Sequence, residues 1–165
     1  MKSVYLLIGC VCILAFAVMP AQAMTAKSLT INLDANGAAH VDFQYELTFA
    51  EQAAVFINIA NPGEELKKAL ENNSGKEVTV VKADSSSAEV IIPSFAEIRQ
   101  SNGIKTMITP GFSFANAENV LKQYWFAALI SPDLSPDVTI ITFPDGYQTT
   151  YNNQISVPSV SHTVA

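Results

Sequence analysis

Apolar and polar residues alternate most regularly in the N-terminal third of the chain. The stretch AHVDFQYELT, which begins at Ala39, has an apolar side chain at every second position, the period of a strand with one buried face. The preceding stretch LTINLD, which begins at Leu29, alternates in the same way. Asn36 and Gly37 lie between the two stretches and suit the tight turn of a hairpin. The pattern therefore predicts a β-hairpin.

Further strands follow from short runs of β-branched residues. The stretch EVTVVKADSSSAEVIIP, from Glu77, has two such runs around a serine-rich connection and predicts a second hairpin. GIKTMITP, from Gly103, predicts one more strand. VTIITF, from Val138, is apolar on both faces apart from its threonines, which is typical of a central strand. Alternation over residues 147–151 predicts the strand that returns beside it.

Asp145 stands where the strongest strand signal stops, between Pro144 and Gly146. Its carboxylate could serve chemistry or chain geometry. Proline, aspartate and glycine together favour a turn, and they also interrupt a segment that would otherwise be prone to aggregate. We therefore predict that Asp145 shapes the backbone.

Helical signals occur in three segments. Thr48 and Glu51 have the spacing of a capping box, although VFINI, from Val55, is equally consistent with a strand. Residues 61–75 open with a capping asparagine and a proline and close with a glycine, which predicts a helix. Apolar residues at steps of three and four predict another helix over residues 117–129, whose aromatic second half also suits a strand.

The order of these elements lacks the regular strand–helix alternation of a parallel sheet. We predict an α+β fold, a mostly antiparallel sheet with two or three helices packed on one face. An immunoglobulin-like β-sandwich with helical insertions is the alternative. The predicted organisation is a signal peptide over residues 1–23, a single domain over residues 24–158 and a frayed C-terminal tail over residues 159–165.

The first 23 residues have the features of a cleaved export signal. Lys2 supplies the positive charge, residues 4–19 are apolar, and AQA at residues 21–23 has the small residues that a signal peptidase needs. An apolar run of 16 residues is shorter than the roughly 18–20 that span a bilayer, so a retained anchor is the less favoured reading. Apolar residues continue past Cys10, unlike in a lipoprotein acylation box. We expect a secreted or extracytoplasmic protein.

The composition of the remaining chain excludes several classes of function. Both cysteines, Cys10 and Cys12, lie in the signal, so thiol catalysis, thiolate metal sites and disulfides are not expected. Without Lys2, eight basic residues face 15 acidic ones, a net charge of −7 that opposes binding to nucleic acid. After the signal no apolar run reaches bilayer length, so no transmembrane helix is expected in the mature chain.

Two groups of polar residues are candidates for metal sites. His40, Asp42 and Glu46 share one face of a predicted strand, but a flat strand spreads its side chains, and alternation already explains them as a solvated face. A second group, formed by three aspartates, does not have the spacing of a calcium loop and is explained by turns. These aspartates are Asp133, Asp137 and Asp145. His162 falls in the predicted tail.

No phosphate loop, nucleophile elbow or dinucleotide fingerprint is present in the sequence. We therefore predict no catalytic, cofactor-binding or metal site. Asn72 begins an Asn-Asn-Ser acceptor triplet and is a candidate for N-glycosylation. The large aromatic residues are predicted to be core rather than the lining of a groove. They are Tyr124, Trp125, Phe126, Tyr147 and Tyr151.

Two stretches resemble known proteins. INLDANGAAHVDFQYEL, from Ile31, and ITFPDGYQTTYNNQISVPSVSHTV, from Ile141, are similar to extracytoplasmic domains of uncharacterised archaeal envelope proteins, particularly those of methanogens. The resemblance implies an α+β or β-rich domain outside the membrane, and it implies no particular activity or functional residue.

These observations together predict an exported, non-catalytic domain that acts through its surface, by binding an envelope protein or a small ligand. The alternative is a secreted hydrolase that uses carboxylates such as Asp42, Glu46 or Asp145. Two of these carboxyl groups facing each other in a deep cleft would favour that alternative.

Overall fold

The computed structural model describes residues 25–47, 77–123 and 133–164, together with residues 64, 67, 68 and 71. In these residues the chain forms eleven strands and one short helix whose bounds are described, and residues 64, 67, 68 and 71 are also helical. The strands are β1 (Thr25–Leu33), β2 (Ala39–Glu46), β3 (Thr79–Ala83), β4 (Ser87–Ile92), β5 (Glu97–Ser101), β6 (Ile104–Ile108), β7 (Phe112–Ser113), β8 (Val138–Thr142), β9 (Gln148–Asn152), β10 (Ser156–Val157) and β11 (Ser161–Val164). The helix is α1 (Ala115–Leu121).

Several sequence predictions lie outside the described residues. They are the signal peptide over residues 1–23, the capping box at Thr48 and Glu51, most of the helix over residues 61–75 together with Asn72, and residues 124–129 of the last predicted helix.

Six strands form the largest sheet, in the order β3-β4-β2-β1-β8-β9. All neighbours are antiparallel except β1 and β8, which run parallel. The predicted hairpins β1–β2 and β3–β4 are confirmed, and so is the return strand β9 after the Pro-Asp-Gly turn. The strand β8 has neighbours on both sides, as its apolar sequence predicted.

One face of this sheet carries the core. Leu29 on β1 lies opposite Phe43 on β2 and Thr139 on β8, so all three side chains share a face. The same registration places Val41 beside Val90. Each fully buried aliphatic or aromatic side chain of this kind contributes about 1.5–3 kcal/mol. The opposite face is polar along β2, where His40 and Gln44 are exposed.

The smaller sheets place their apolar side chains on that core face. Three strands pair in the order β11-β6-β5, and β10 pairs with β7. Met107 on β6 and Val157 on β10 are buried in the same cluster as the core of the large sheet, and Phe114 stacks on Phe43 with ring centroids 5.9 Å apart. Buried side chains of all three sheets therefore belong to one core.

This architecture corrects the predicted fold class. The expectation of an α+β fold with two or three helices on one face of the sheet is wrong, because strands dominate the described residues and α1, the helix whose bounds are described, has seven residues. In the described chain, side chains of the smaller sheets cover the core face. Several sheets that share one core are compatible with the general form of the alternative, a β-sandwich.

The frayed tail predicted from Ser159 is also wrong. Residues 161–164 form β11, which pairs with β6 from Ser161 opposite Ile108 to Val164 opposite Lys105. The link continues before the strand, because the N–H of Thr109 donates to the carbonyl of Val160 at 2.9 Å. A partner about 55 residues away in sequence, which no local pattern reveals, holds this segment in place.

Candidate functional site

The turn between β8 and β9 is built by backbone hydrogen bonds around Asp145. The N–H of Phe143 donates to the carbonyl of Tyr147 at 2.8 Å, and the N–H of Gly146 donates to the carbonyl of Phe143 at 2.9 Å. One carboxylate oxygen of Asp145, Oδ1, accepts from the N–H of Tyr147 at 3.1 Å. The predicted role of Asp145 in shaping this turn is therefore confirmed.

The same carboxylate has a second role that the sequence did not predict. Its other oxygen, Oδ2, lies 2.7 Å from Nε2 of His162, which is carried by β11. The side chains of His162 and Asp145 are only 20% and 18% exposed. Asp145 therefore connects the turn of the large sheet to the last strand of the three-stranded sheet.

Two aromatic rings enclose the imidazole of His162. The ring of Tyr147 stacks on it, with centroids 4.1 Å apart and planes 9° apart. Phe143 contacts it edge-on at 4.9 Å. The imidazole is thus held in one orientation by a hydrogen bond at its edge and by rings on its faces.

A histidine oriented by an aspartate is half of the arrangement that activates a nucleophile in hydrolases. The other half would be a hydroxyl or thiol within hydrogen-bond reach of the second ring nitrogen. Among the described residues, the hydrogen bonds of His162 go to Asp145 alone. Within the described chain, the pair therefore acts as a clamp: it links the β8–β9 turn of the large sheet to β11 of the three-stranded sheet.

A second cluster of charges lies on the polar face of the large sheet. Asp42 on β2 is directly opposite Glu89 on β4, and Lys82 on β3 is opposite Glu89. Like charges in directly opposite positions repel, and the ammonium group reduces this cost. Gln44 also donates to Asp42 at 2.6 Å. Neither carboxylate lines the groove described below.

The β3–β4 turn contains the described carboxylate with the most strongly shifted pKa. The Lys82 ammonium, 2.8 Å from Asp84, holds the pKa of that carboxyl well below its usual range, and the N–H groups of Ser86 and Ser87 add to the effect. The same pairing raises the pKa of Lys82, with smaller contributions from nearby carboxylates. These bonds fix a turn, so the shift is explained by structure rather than by catalysis.

A shallow groove of about 600 Å³ runs beside β5. Its apolar lining comes mainly from four side chains. Among its described lining residues the only charged side chain is Glu97, which is paired with Arg99 at 2.8 Å. The four apolar residues are Phe95, Ile98, Ile108 and Pro110. The groove is therefore open, largely uncharged and suited to apolar or neutral groups.

Strand β5 forms one wall of this groove and is the edge of its sheet. All five of its residues are exposed, including Ile98 at 38%. In the two-residue β5–β6 turn, Ser101 and Ile104 are the hydrogen-bonded closing pair, so the backbone groups of Gln100 and Ile98 point away from β6. No hydrogen bond to these outward groups is found within the described part of the chain.

The residues considered as metal or carboxylate sites do not converge. His40 lies 3.1 Å from Asp34, Glu46 lies 3.3 Å from Lys27, and Asp42 faces Glu89. In the described ranges, no three histidine, cysteine or acidic side chains are placed to hold a metal ion. The carboxylates of the alternative hydrolase prediction therefore have separate partners.

The remaining candidates are turn or surface residues. Asp133 accepts from the N–H of Ser135 at 2.9 Å, and the N–H of Asp137 donates to the carbonyl of Ala26 at 3.1 Å, so both take part in turn and loop geometry. Tyr151 packs against the core as predicted. Tyr147 is 47% exposed, which corrects its prediction as a core residue, and its ring stacks on His162.

Comparisons with protein-family models, with curated proteins and with solved structures give no match. Among the described residues, no helix has the length and apolar character needed to cross a bilayer.

Proposed function

We propose that this chain is an exported, non-catalytic binding domain that recognises an extended segment of a partner protein along β5 and the adjoining groove. The predicted export signal over residues 1–23 supports the location outside the membrane. The observation that carries the binding role is an exposed edge strand beside an open apolar groove.

Edge strands usually carry features that prevent pairing with other chains. Strand β5 has one charge pair, Glu97 and Arg99, on one face, and its outward backbone groups are at Ile98 and Gln100. An extended partner segment would satisfy these groups and extend the sheet, as in other cases of strand addition. Alternate side chains of that segment would then point toward the groove.

The β1–β2 turn limits where the partner segment can lie. The N–H of Ala96 donates to the carbonyl of Gly37 at 2.9 Å, so this turn covers the edge immediately before β5. The side chain of Ile98 also lies beside Gly37 of this turn, so the accessible part of the edge runs from the backbone of Ile98 to the β5–β6 turn. Since the groove has one ionised side chain, already paired, we expect the binding to depend only weakly on salt concentration.

The charged clusters support a structural role more than a catalytic one. Asp145 and His162 connect two sheets, and Asp84 fixes a turn. Both arrangements have a sufficient explanation in the stability of the domain. Because these charged groups are explained by stability, the groove beside β5 is the described feature that we propose as the binding site.

The proposal can be tested by site-specific photo-crosslinking on the mature chain, which has no native cysteine. A cysteine at position 100 carries the photoreactive label on the β5 edge. The control label is at position 150 on β9, an edge strand of the large sheet, where Thr150 is also exposed and points its N–H outward. Labelled protein is exposed to the envelope fraction of the source organism.

We expect a discrete crosslinked product from position 100 and none from position 150. Excess unlabelled protein should suppress this product, whereas excess Gln100→Pro should not, since proline removes the outward N–H without breaking a bond to β6. Thr150→Pro should compete like the unaltered protein. The same products from both positions, or none from position 100, would contradict the proposal.

A further inference from the structure

The dipeptide Asn-Gly occurs in two hairpin turns of the described chain, with contrasting surroundings. Asn36 and Gly37 form the β1–β2 turn, and Asn102 and Gly103 form the β5–β6 turn. In such a pair the backbone nitrogen of glycine can attack the side-chain amide carbon of asparagine, because glycine has no Cβ to hinder it. The reaction requires a movable turn and an available glycine N–H.

The first pair is fixed on all sides. The N–H of Gly37 donates to the carbonyl of Asp34 at 2.9 Å, and Oδ1 of Asn36 accepts from the N–H of Ala38 at 2.9 Å. Gly37 is buried, and a Cβ built on it would lie 2.6 Å from the carbonyl oxygen of Ala96. Both reacting groups are therefore engaged in this turn.

The second pair is open. Asn102 and Gly103 are exposed, with φ angles of 51° and 78°, as in a tight hairpin turn. A Cβ built on Gly103 would have nothing within 4 Å. Within the described residues, neither the side chain of Asn102 nor the N–H of Gly103 has a hydrogen-bond partner. The turn also adjoins the exposed edge strand β5, and such locations open at low free-energy cost.

We propose that Asn102 is a site of spontaneous deamidation and that Asn36 is protected by the fold. The backbone nitrogen of Gly103 loses its proton to solvent base and forms a bond to Cγ of Asn102. The Cγ–Nδ2 bond breaks and ammonia leaves, giving a succinimide. Water then adds to either succinimide carbonyl, which yields aspartate or isoaspartate, and no oxidant or reductant is needed.

The modification changes the tip of the β5–β6 hairpin. It adds a negative charge beside Ile104, which is 56% exposed. The isoaspartate product also inserts a methylene into the backbone of a turn whose geometry is tightly defined. The inference stands independently of the proposed binding function, because it depends only on the two turns.

Peptide mapping by mass spectrometry tests the proposal on the purified mature protein during incubation in mildly alkaline buffer. Opening the Asn36 turn breaks three hydrogen bonds that involve Asn36 or Gly37, so we expect deamidation at Asn36 to be about 100-fold slower than at Asn102. In urea, where both turns are unfolded, the two sites should react at similar rates. Asn102→Gln should remove the fast product while leaving Asn36 unchanged.

Similar rates at the two sites in folded protein would overturn the proposal. So would faster reaction at Asn36, or no reaction at Asn102 during a time in which both sites react in urea. Fragmentation that separates isoaspartate from aspartate should show both products at position 102, and aspartate alone would contradict the succinimide route.

Discussion

The imidazole of His162 lies flat against the ring of Tyr147, with centroids 4.1 Å apart, and its Nε2 reaches the carboxylate of Asp145 at 2.7 Å. Tyr147 and Asp145 belong to the β8–β9 turn of the large sheet, whereas His162 belongs to β11. The contact therefore fastens the last strand of the three-stranded sheet to the large one.

Replacing His162 by alanine should destabilise the domain. The substitution removes one hydrogen bond and two ring contacts, so we expect the free energy of unfolding to fall by about 1–2 kcal/mol. His40→Ala is the matched control, since His40 also lies beside an aspartate, Asp34, but their side chains are 53% and 48% exposed. That control should lose less than about 0.5 kcal/mol. Urea unfolding followed by circular dichroism measures both, and equal losses would contradict the clamp.

Thr139 offers a stabilising substitution. It is 1% exposed, and in the described chain its Oγ1 has no hydrogen-bond partner. Valine has nearly the same shape and lacks the hydroxyl, so Thr139→Val should raise the free energy of unfolding by about 1 kcal/mol.

The control for this substitution is Thr109→Val. Thr109 is equally buried, but its Oγ1 accepts from the N–H of Val160 at 3.0 Å. Losing that acceptor leaves a backbone N–H unpaired, and we expect a loss of about 1–3 kcal/mol. Urea midpoints that move in the same direction for the two variants would refute the explanation based on hydrogen bonding.

Local patterns predicted some elements of this fold because their partners are close in sequence. The β1–β2 hairpin combines period-two alternation with Asn36 and Gly37 at the turn, and all of this information lies within about 20 residues. The turn role of Asp145 was predictable for the same reason, since its Oδ1 bonds to Tyr147 two residues away. Hairpins are therefore the part of this fold that the sequence predicts best.

The missed features depend on distant partners. Strand β5 has the sequence EIRQS, with one apolar residue, so it shows no alternation of apolar and polar positions. Both of its faces are exposed, so neither face has to be apolar. Strand β11 has the sequence SHTV and is held by pairing with β6. The link from Asp145 to His162 crosses between two sheets, and neither residue's immediate neighbours indicate it.

Tyr45 should make stability depend on pH in alkaline solution. Burial, with a smaller effect from the charge of Asp84, raises the pKa of Tyr45 to about 12, against about 10 in the unfolded chain. The folded state favours the neutral phenol, so its contribution is complete below about pH 10 and is lost as pH rises through about 12.

Tyr45→Phe isolates this contribution. The phenol donates to the carbonyl of Asp84 at 2.5 Å, so the variant should be less stable by about 0.5–1.5 kcal/mol at neutral pH. The difference between the two proteins should shrink between about pH 10 and 12, because only the unaltered protein has this phenol to ionise. Urea midpoints across this range provide the measurement. If the difference in stability between the two proteins stayed constant with pH, the pKa of Tyr45 would be the same in the folded and unfolded states.

Alanine substitutions at two glycines distinguish the free-energy cost of a left-handed backbone conformation from the cost of a close contact made by the new Cβ. Gly37 and Gly103 have φ angles of 85° and 78°, so alanine is strained at either position. Only at Gly37 would the new Cβ meet a backbone atom, the carbonyl oxygen of Ala96 at 2.6 Å. That oxygen cannot withdraw easily, because the N–H of Ala96 is bonded to the carbonyl of Gly37 itself.

Gly103→Ala should therefore reduce the free energy of unfolding by about 1 kcal/mol, the cost of the backbone conformation alone. Gly37→Ala should cost at least ~2 kcal/mol, because the turn must also move away from the chain before β5. Urea unfolding of both variants measures the difference. Equal losses would mean that the β1–β2 turn does not contact Ala96 in solution. In that case this turn would not limit the accessible part of the β5 edge either.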